Sequence, residues 1–353
     1  MSTEPEILFA RRGTAGVATL NRPQALNAIT HTMVRALATQ LAEWARDPAV
    51  SRVLVTAAGE RAFSAGGDIR ALYEFGRNGR QDRALQFWRD EYALNTLIKR
   101  YPKPYVALIN GIVMGGGVGV SIHGSHRVAG ERLQFAMPEV GIGFFPDVGA
   151  TWFLPRMPGE SGTYCALTGE RLKAADALAT GLVTHHVPAA RWPELLEALA
   201  GSGPVDAVLS EFAQPLLPGP FAARRAAIDR LFTADGLDDV VRTLDRETET
   251  RGLDAGFAGA TAALIRAKSP TSLKIALAQV RRGKHLSFSD CMRTEFRIVS
   301  RIVYGHDFYE GVRAAIIDKD QQPAWDPATL AGVADAEVER HFSPLGAAEL
   351  DLP

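Results

Sequence analysis

FSAGGDI at residues 63–69 and NGIVMGGGVGVS at residues 110–121 are the two stretches that decide the fold of this chain. Each places a glycine-rich turn after an apolar run with strand character, Arg52–Ala57 in the first case and Tyr105–Ile109 in the second. Glycine adopts φ angles closed to other residues and lets the backbone approach a ligand closely. Two such turns can direct two backbone N–H groups at one carbonyl oxygen, as an oxyanion hole does. Either turn alone is typical of an ordinary strand-to-helix connection, but the pair favours acyl-thioester chemistry.

Strand and helix patterns alternate around these turns. Residues 7–20 predict a β-hairpin, because two short apolar runs flank a turn that contains Gly13. Apolar residues at spacings of three and four predict helices from Thr30 onward and over residues 82–99. Alternating strands and helices imply βαβ units and a mostly parallel sheet. The sequence therefore predicts an α/β core.

The strand signal fades beyond about residue 190, and helical patterns follow. Three prolines in QPLLPGP, residues 214–220, mark a joint in the chain. Ser269 followed by Pro270 is typical of a helix start, with serine as N-cap and proline at the first helical position. We therefore expect a core over residues 1–200 and a helical C-terminal region over residues 201–353.

Composition excludes several classes of protein. Of the 353 residues, 46% are hydrophobic and 22% charged, which is typical of a globular protein with a sizeable core. A net charge of −1 gives no electrostatic basis for binding nucleic acid. The two cysteines, Cys165 and Cys291, form no CxxC motif, and no HExxH motif occurs. This pattern favours a reducing compartment and predicts no metal site.

Targeting and membrane signals are weak. The N-terminal sequence MSTEPEILFA lacks the basic and apolar regions of a signal peptide. The most apolar stretch, Tyr105–Gly124, is interrupted by Asn110, His123 and several glycines, whereas a membrane-spanning helix needs about 20 predominantly apolar residues. We expect a cytoplasmic protein that does not interact with membranes.

The chain resembles the crotonase (enoyl-CoA hydratase/isomerase) superfamily, and most closely its 3-hydroxyisobutyryl-CoA hydrolase branch. The glycine-turn motifs are general to the superfamily. Two segments, AMPEVGIGFFPDVGATWFLPR at 136–156 and HDFYEGVRAAIIDKD at 306–320, are specific to the branch. The resemblance implies a spiral of ββα repeats closed by C-terminal helices, which in relatives often mediate trimerisation. It therefore also implies a possible homo-oligomer, a trimer or dimer of unknown arrangement.

The resemblance assigns the two oxyanion donors to the backbone N–H groups of Ala65 and Gly116. Gly116 also begins a predicted helix, where N–H groups lack intrahelical partners and the helix dipole favours negative charge. The loop that continues through Gly66, Gly67 and Asp68 resembles the family segment that lies along coenzyme A. Coenzyme A is here part of the substrate, and the resemblance implies no metal or redox cofactor.

Three carboxylates are further candidates. Glu139 and Asp147 flank the apolar run VGIGFFP, so both are expected to emerge from a poorly solvated wall. Burial raises the pKa of a carboxyl and suits it to proton transfer near neutral pH. The alternative is that each acid only caps a turn. Glu91 matches a substrate-contacting glutamate of the hydrolase branch, although an acid on a helix is more often simply solvated.

Gly119 is the clearest departure from the hydratases of the superfamily, which carry a catalytic glutamate three residues beyond the second oxyanion glycine. Hydration of a double bond needs two acids, and here one is replaced by glycine. The expected function is therefore hydrolysis of 3-hydroxyisobutyryl-CoA or a similar short β-hydroxyacyl-CoA, in valine catabolism. The alternatives are an enoyl-CoA hydratase or isomerase, and a CoA-binding protein without turnover.

Overall fold

A computed structural model describes residues 4–352 of the chain. The ten strands in this part are β1 (Ile7–Arg12), β2 (Ala15–Leu20), β3 (Arg52–Ala57), β4 (Ala62–Ser64), β5 (Tyr105–Ile109), β6 (Ile112–Met114), β7 (His126–Ala129), β8 (Gln134–Ala136), β9 (Leu172–Lys173) and β10 (His185–His186).

The α-helices of the same residues number sixteen. They are α1 (His31–Arg46), α2 (Ile69–Arg77), α3 (Gln81–Lys99), α4 (Gly116–Gly119), α5 (Ala150–Phe153), α6 (Ser161–Thr168), α7 (Ala174–Ala179), α8 (Trp192–Ala200), α9 (Val205–Phe212), α10 (Pro220–Leu231), α11 (Leu237–Glu249), α12 (Ala255–Arg266), α13 (Pro270–Gly283), α14 (Phe288–Ile302), α15 (His306–Val312) and α16 (Asp335–Phe342).

Contacts between residues divide the chain into two compact units, each discontinuous in sequence. The first contains the described residues up to Asp68 together with Asp90–Ala136 and Arg171–Ala222. The second contains Ile69–Arg89, Met137–Glu170 and the described residues from Ala223 onward. The linear division predicted near residue 200 stays a prediction.

The first unit holds two sheets. Six strands pair in the order β1-β2-β3-β5-β7-β10, in which β1 and β2 form the predicted antiparallel hairpin and the remaining pairs are parallel. Four shorter strands pair in the order β4-β6-β8-β9. The parallel pairing of β4 with β6 matters for the site, because the two glycine turns directly follow these neighbouring strands. This confirms the predicted α/β class and the mostly parallel sheet.

Apolar side chains from the six-stranded sheet and from two helices form the main core of the first unit. Val17, Leu54 and Val106 are buried on the sheet, and α8 and α9 add Leu195 and Leu209 to the same cluster. Each fully buried aliphatic side chain contributes about 1.5–3 kcal/mol relative to exposure. This packing fixes β3 and β5, which β4 and β6 with their glycine turns follow in the chain.

In the second unit, the described residues form helices and loops. The predicted helix start at Ser269 is confirmed, because the Ser269 side chain accepts a hydrogen bond from the backbone N–H of Ser272 and α13 begins at Pro270. Helices α13 and α14 are buried along much of their length, and their inner faces carry Gln279 and Glu295 among apolar residues. These two polar side chains lie against the segment that contains Asp147.

Candidate active site

The first glycine turn follows β4 and begins at Ala65. Gly66 has a φ of +119°, a conformation that side chains other than glycine rarely adopt. The carbonyl of Gly66 accepts a hydrogen bond from the Ile29 N–H at 2.8 Å, and the Asp68 N–H donates to the Ile29 carbonyl at 2.9 Å. These two bonds hold the peptide groups on both sides of Gly67.

The second glycine turn joins β6 to the short helix α4. Gly115 has a φ of +43°, and Gly116 directly after it begins the helix. The helix predicted to begin at Gly116 is thus confirmed, and it ends at Gly119. The two turns have the same local geometry. In each, a glycine with positive φ, Gly66 or Gly115, directly precedes a second glycine, Gly67 or Gly116.

The two turns and Glu91 lie together. A Cβ atom added to Gly116 would lie 3.1 Å from the backbone nitrogen of Gly67 and 2.6 Å from Oε1 of Glu91. Glu91 projects from α3 and is only 2% exposed. The structure therefore places a buried carboxyl beside the glycine turns, where the sequence pattern alone favoured a solvated one.

The structure corrects the assignment of Ala65 as an oxyanion donor. Its N–H already donates to the carbonyl of Leu26 at 2.9 Å. In the part of the chain that the structure describes, the N–H groups of Gly67 and Gly116 have no hydrogen-bond acceptor. Because successive N–H groups of an extended segment point to opposite sides and the Asp68 N–H points at Ile29, the adjacent Gly67 N–H points away from Ile29. Gly67 is therefore the candidate donor of this turn in place of Ala65. The sequence could not reveal this, since it does not show the register with Ile29.

Asp68 forms an ion pair with Arg22 at 3.1 Å, and its carboxylate is partly buried. Arg22 also donates to the carbonyl of Ala28 at 2.8 Å, so Asp68 ties the first turn to the segment before α1. This pairing is a structural role for Asp68. The predicted contacts of Gly66, Gly67 and Asp68 with coenzyme A stay a prediction.

Glu139, in the second unit, begins a 3₁₀ helix that ends at Ile142. Its side chain is 6% exposed, and among the described residues its Oε2 atom has no hydrogen-bond partner. Burial raises the pKa of Glu139 well above its ordinary value, and the charge of Asp147 raises it further. A carboxyl of this kind exchanges a proton near neutral pH more readily than an exposed one.

Aromatic side chains form the poorly solvated wall that the run VGIGFFP predicts. Phe144 stacks on Trp88 with ring centroids 5.5 Å apart and contacts Phe308 at 5.6 Å. Phe145 is fully buried beside Phe144. The apolar environment predicted for this wall is confirmed, and it accounts for the large contribution of burial to the raised pKa of Glu139.

Asp147 is 5% exposed and lies in a segment that Glu295 holds from α14. The two carboxyl oxygens of Glu295 accept hydrogen bonds from the N–H groups of Gly149 and Thr151, at 2.8 and 2.9 Å. The sequence analysis missed Glu295. Its signal is a charged residue inside the apolar stripe of FSDCMRTEFRIVSRI, directly before the buried Phe296.

Two further observations concern metal ions and membranes. No group of three or more histidine, cysteine, aspartate or glutamate residues within residues 4–352 is arranged to hold a metal ion. None of the helices in the same range is long and apolar enough to span a membrane.

Comparisons with known proteins agree with this architecture. The family model described as enoyl-CoA hydratase/isomerase matches residues 15–342. A relative from Danio rerio named "3-hydroxyisobutyryl-CoA hydrolase, mitochondrial" is 45% identical over 98% of this chain and 92% of its own length. The name places that relative in mitochondria, so a cytoplasmic location for this chain stays a prediction.

Two solved structures are similar over the whole chain. A carnitinyl-CoA dehydratase from Mycobacterium thermoresistibile has a TM-score of 0.92 at 44% identity and covers 99% of both chains. An enoyl-CoA hydratase from Rhodobacter sphaeroides has a TM-score of 0.91 at 37% identity, with 99% of this chain and 100% of the other covered. The predicted crotonase-type fold is confirmed, and the chain belongs to the enoyl-CoA hydratase/isomerase family.

Proposed function

We propose that this protein is a thioester hydrolase that cleaves 3-hydroxyisobutyryl-CoA, or a similar short β-hydroxyacyl-CoA, to the free acid and coenzyme A. The observation that carries the proposal is the pair formed by a buried Glu139 with a raised pKa and a glycine at position 119. One acid is enough for attack at a carbonyl, whereas hydration of a double bond needs two. The relative from Danio rerio supports the same choice by its name.

In the proposed reaction, the N–H groups of Gly67 and Gly116 bind the thioester oxygen. Negative charge develops on this oxygen when the carbonyl is attacked, and preorganised donors stabilise it at no cost of reorganisation. Gly116 is suited to this role because it begins a helix, where the N–H has no intrahelical acceptor. Gly67 is suited because the bonds of its neighbours to Ile29 fix the peptide.

Glu139 supplies the reacting group in one of two ways. Its carboxylate either attacks the carbonyl carbon to form an anhydride and expel the CoA thiolate, or it removes a proton from the attacking water. Water then completes the first route by hydrolysing the anhydride. In both routes Glu139 must be ionised when the reaction begins. An exposed glutamate has a pKa of about 4.3. Because the pKa of Glu139 is raised, activity should be lost at a higher pH than this as the solution is made more acidic.

Asp147 and Glu91 are proposed to bind the β-hydroxyl or orient the reacting groups. Both are buried, and a buried carboxylate is stabilised when a substrate hydroxyl donates to it. A substrate with such a hydroxyl is the class expected in valine catabolism. Water is the only co-substrate in this scheme, and no step needs a metal or redox cofactor.

The names of the two solved structures favour a second candidate, a hydratase or dehydratase of CoA thioesters. Gly119 separates the two functions, because it leaves one face of the acyl chain without the acid that would deliver water to the β-carbon. A purely CoA-binding role is disfavoured, since binding alone does not require a buried carboxyl such as Glu139.

Thiol release from a panel of acyl-CoAs tests the proposal. The panel pairs 3-hydroxyisobutyryl-CoA with isobutyryl-CoA, which lacks only the hydroxyl, and adds acetyl-CoA as a short control. We expect fastest release from 3-hydroxyisobutyryl-CoA, measured with a thiol reagent. Absence of thiol release from every member of the panel would contradict a hydrolase function.

A further inference from the structure

The segment Pro146–Thr151, here named the Asp147 loop, has an unusual backbone. Val148 has a φ of +51° and is fully buried. A β-branched residue in this left-handed region is a true outlier, and its conformation is strained. It persists only where neighbouring groups determine it. Val148 directly follows Asp147, so the strained backbone adjoins a candidate site residue.

Three hydrogen bonds from two helices determine this conformation. Glu295 on α14 accepts the N–H groups of Gly149 and Thr151 with its two carboxyl oxygens. Gln279 on α13 donates its side-chain N–H to the carbonyl of Pro146. Asp147 and Val148 are therefore held on both sides.

Burial of the Glu295 carboxyl costs free energy of desolvation, which its hydrogen bonds to the Asp147 loop offset. Its side chain is completely buried, and burial raises its pKa to about 8. The charge of Asp147 raises this pKa as well, while the hydrogen bonds from Gly149 and Thr151 lower it. Without these carboxyl oxygens, the buried N–H groups of Gly149 and Thr151 would lose their acceptor. The loop that Glu295 holds therefore accounts for a glutamate at this place.

We infer that Glu295 is a positioning residue that holds the Asp147 loop and thereby sets the position of the Asp147 carboxylate. The importance of this position for catalysis rests on the proposed function. The effect extends to Glu139, because the charge of Asp147 contributes to its raised pKa. If the loop relaxes, this repulsion weakens and the pKa of Glu139 falls toward its ordinary value.

Glu295→Gln tests the inference, because it keeps the volume of the side chain but replaces one hydrogen-bond acceptor by a donor. We expect kcat for 3-hydroxyisobutyryl-CoA to fall by about 10–100-fold, since a misplacement of about 1 Å can cost 10²-fold. The acid limb of kcat/KM against pH should shift to lower pH. Asp290→Asn is the matched control, since Asp290 is an exposed acid on the same helix and should leave both quantities unchanged.

A second measurement does not depend on turnover. Carbon-13 NMR of labelled glutamate carboxyls, with the Glu139 signal assigned by its loss in Glu139→Gln, follows the ionisation of Glu139 directly. Among the groups near these carboxyls, Asp147 acts on Glu139, and Asp147 and Cys291 face Glu295. The Glu139 titration should move to lower pH in Glu295→Gln, and a merely structural role for Glu295 would not move it.

Glu295→Asp provides a second variant if Glu295→Gln does not fold. It keeps the carboxyl group but shortens the side chain by one methylene, which withdraws the acceptor oxygens from the N–H groups of Gly149 and Thr151. The relaxed loop should shift the Glu139 titration in the same direction. An unchanged titration in the folded variants overturns the inference. Failure of the wild-type protein to release thiol would instead contradict the proposed function, and the NMR result would still decide the role of Glu295.

Discussion

The glycine turns of the first unit and the acids of the second illustrate two ways in which a protein prepares a reactive group. In the turns, the functional groups are backbone N–H groups, and local hydrogen bonds such as those to Ile29 fix them. Around Glu139 and Asp147, the functional groups are side chains, and their chemistry depends on an aromatic wall and on helices distant in sequence. Changes in the turns should therefore alter rate without altering pH dependence, while changes around the acids should alter both.

The largest expected effect is that of Glu139→Gln. The amide keeps the shape of the side chain but can neither attack the carbonyl nor accept a proton from water. Loss of a group of this kind costs about 10²–10⁴-fold or more in kcat. Steady-state thiol release measures this loss, and calorimetric titration with a substrate analogue should show that binding is largely retained.

Glu197→Gln is the control for that experiment, since Glu197 is an exposed acid on α8. It should have wild-type activity. Near-wild-type turnover of Glu139→Gln would remove Glu139 from the reaction and leave Asp147 as the leading candidate for its role.

Gly116→Ala tests the turns with an easily made variant. Its Cβ would lie within 2.6 Å of Oε1 of Glu91, so the buried carboxyl or the turn must shift. A misplaced oxyanion donor is expected to lower kcat by about 10²–10³-fold, with little change in the pH profile. Gly256→Ala is the matched control, because a Cβ at this helical position meets no atom within 4 Å. Full activity in Gly116→Ala would mean that the turn is only structural.

A backbone substitution tests the correction from Ala65 to Gly67 more finely. An ester in place of the peptide N–H removes one donor and also weakens the preceding carbonyl as an acceptor. At position 67 we expect kcat to fall by about 10²-fold. At position 65 the loss is a hydrogen bond to Leu26, worth about 0.5–1.5 kcal/mol, so Tm should fall while kcat stays near the wild-type value. The reverse pattern of kcat values would restore Ala65 as the donor.

The two regions also differ in how far the sequence could predict them. The turns were located correctly because glycine runs after apolar strands have a direct conformational meaning. The assignment of Ala65 as a donor conflicts with its hydrogen bond to Leu26, and the donor role of Gly116 stays a prediction. The error at Ala65 arose because the register of the first turn with Ile29 is a tertiary property. Glu91 was assigned by resemblance alone, and its burial beside Gly116 becomes visible only when α3 is placed against the turns.

For the acids, the apolar run between Glu139 and Asp147 predicted a poorly solvated wall, and the stacking of Phe144 on Trp88 confirms it. The sequence could not show that Glu295 and Gln279, more than 130 residues away, hold the Asp147 loop. Hydrogen bonds at such separations depend on helix packing, and no local pattern encodes them. The left-handed conformation of Val148 was likewise hidden, since valine is among the residues least expected there.

The choice between hydrolase and hydratase is the central claim, and one side-by-side measurement tests it most directly. The wild-type protein is given 3-hydroxyisobutyryl-CoA with a thiol reagent, and crotonyl-CoA under the same conditions with its enoyl absorbance followed. We predict rapid release of thiol from the first substrate and an unchanged absorbance with the second, because Glu139 can act at the carbonyl while Gly119 supplies no second acid. Rapid loss of the enoyl absorbance without release of thiol would contradict the account and identify a hydratase.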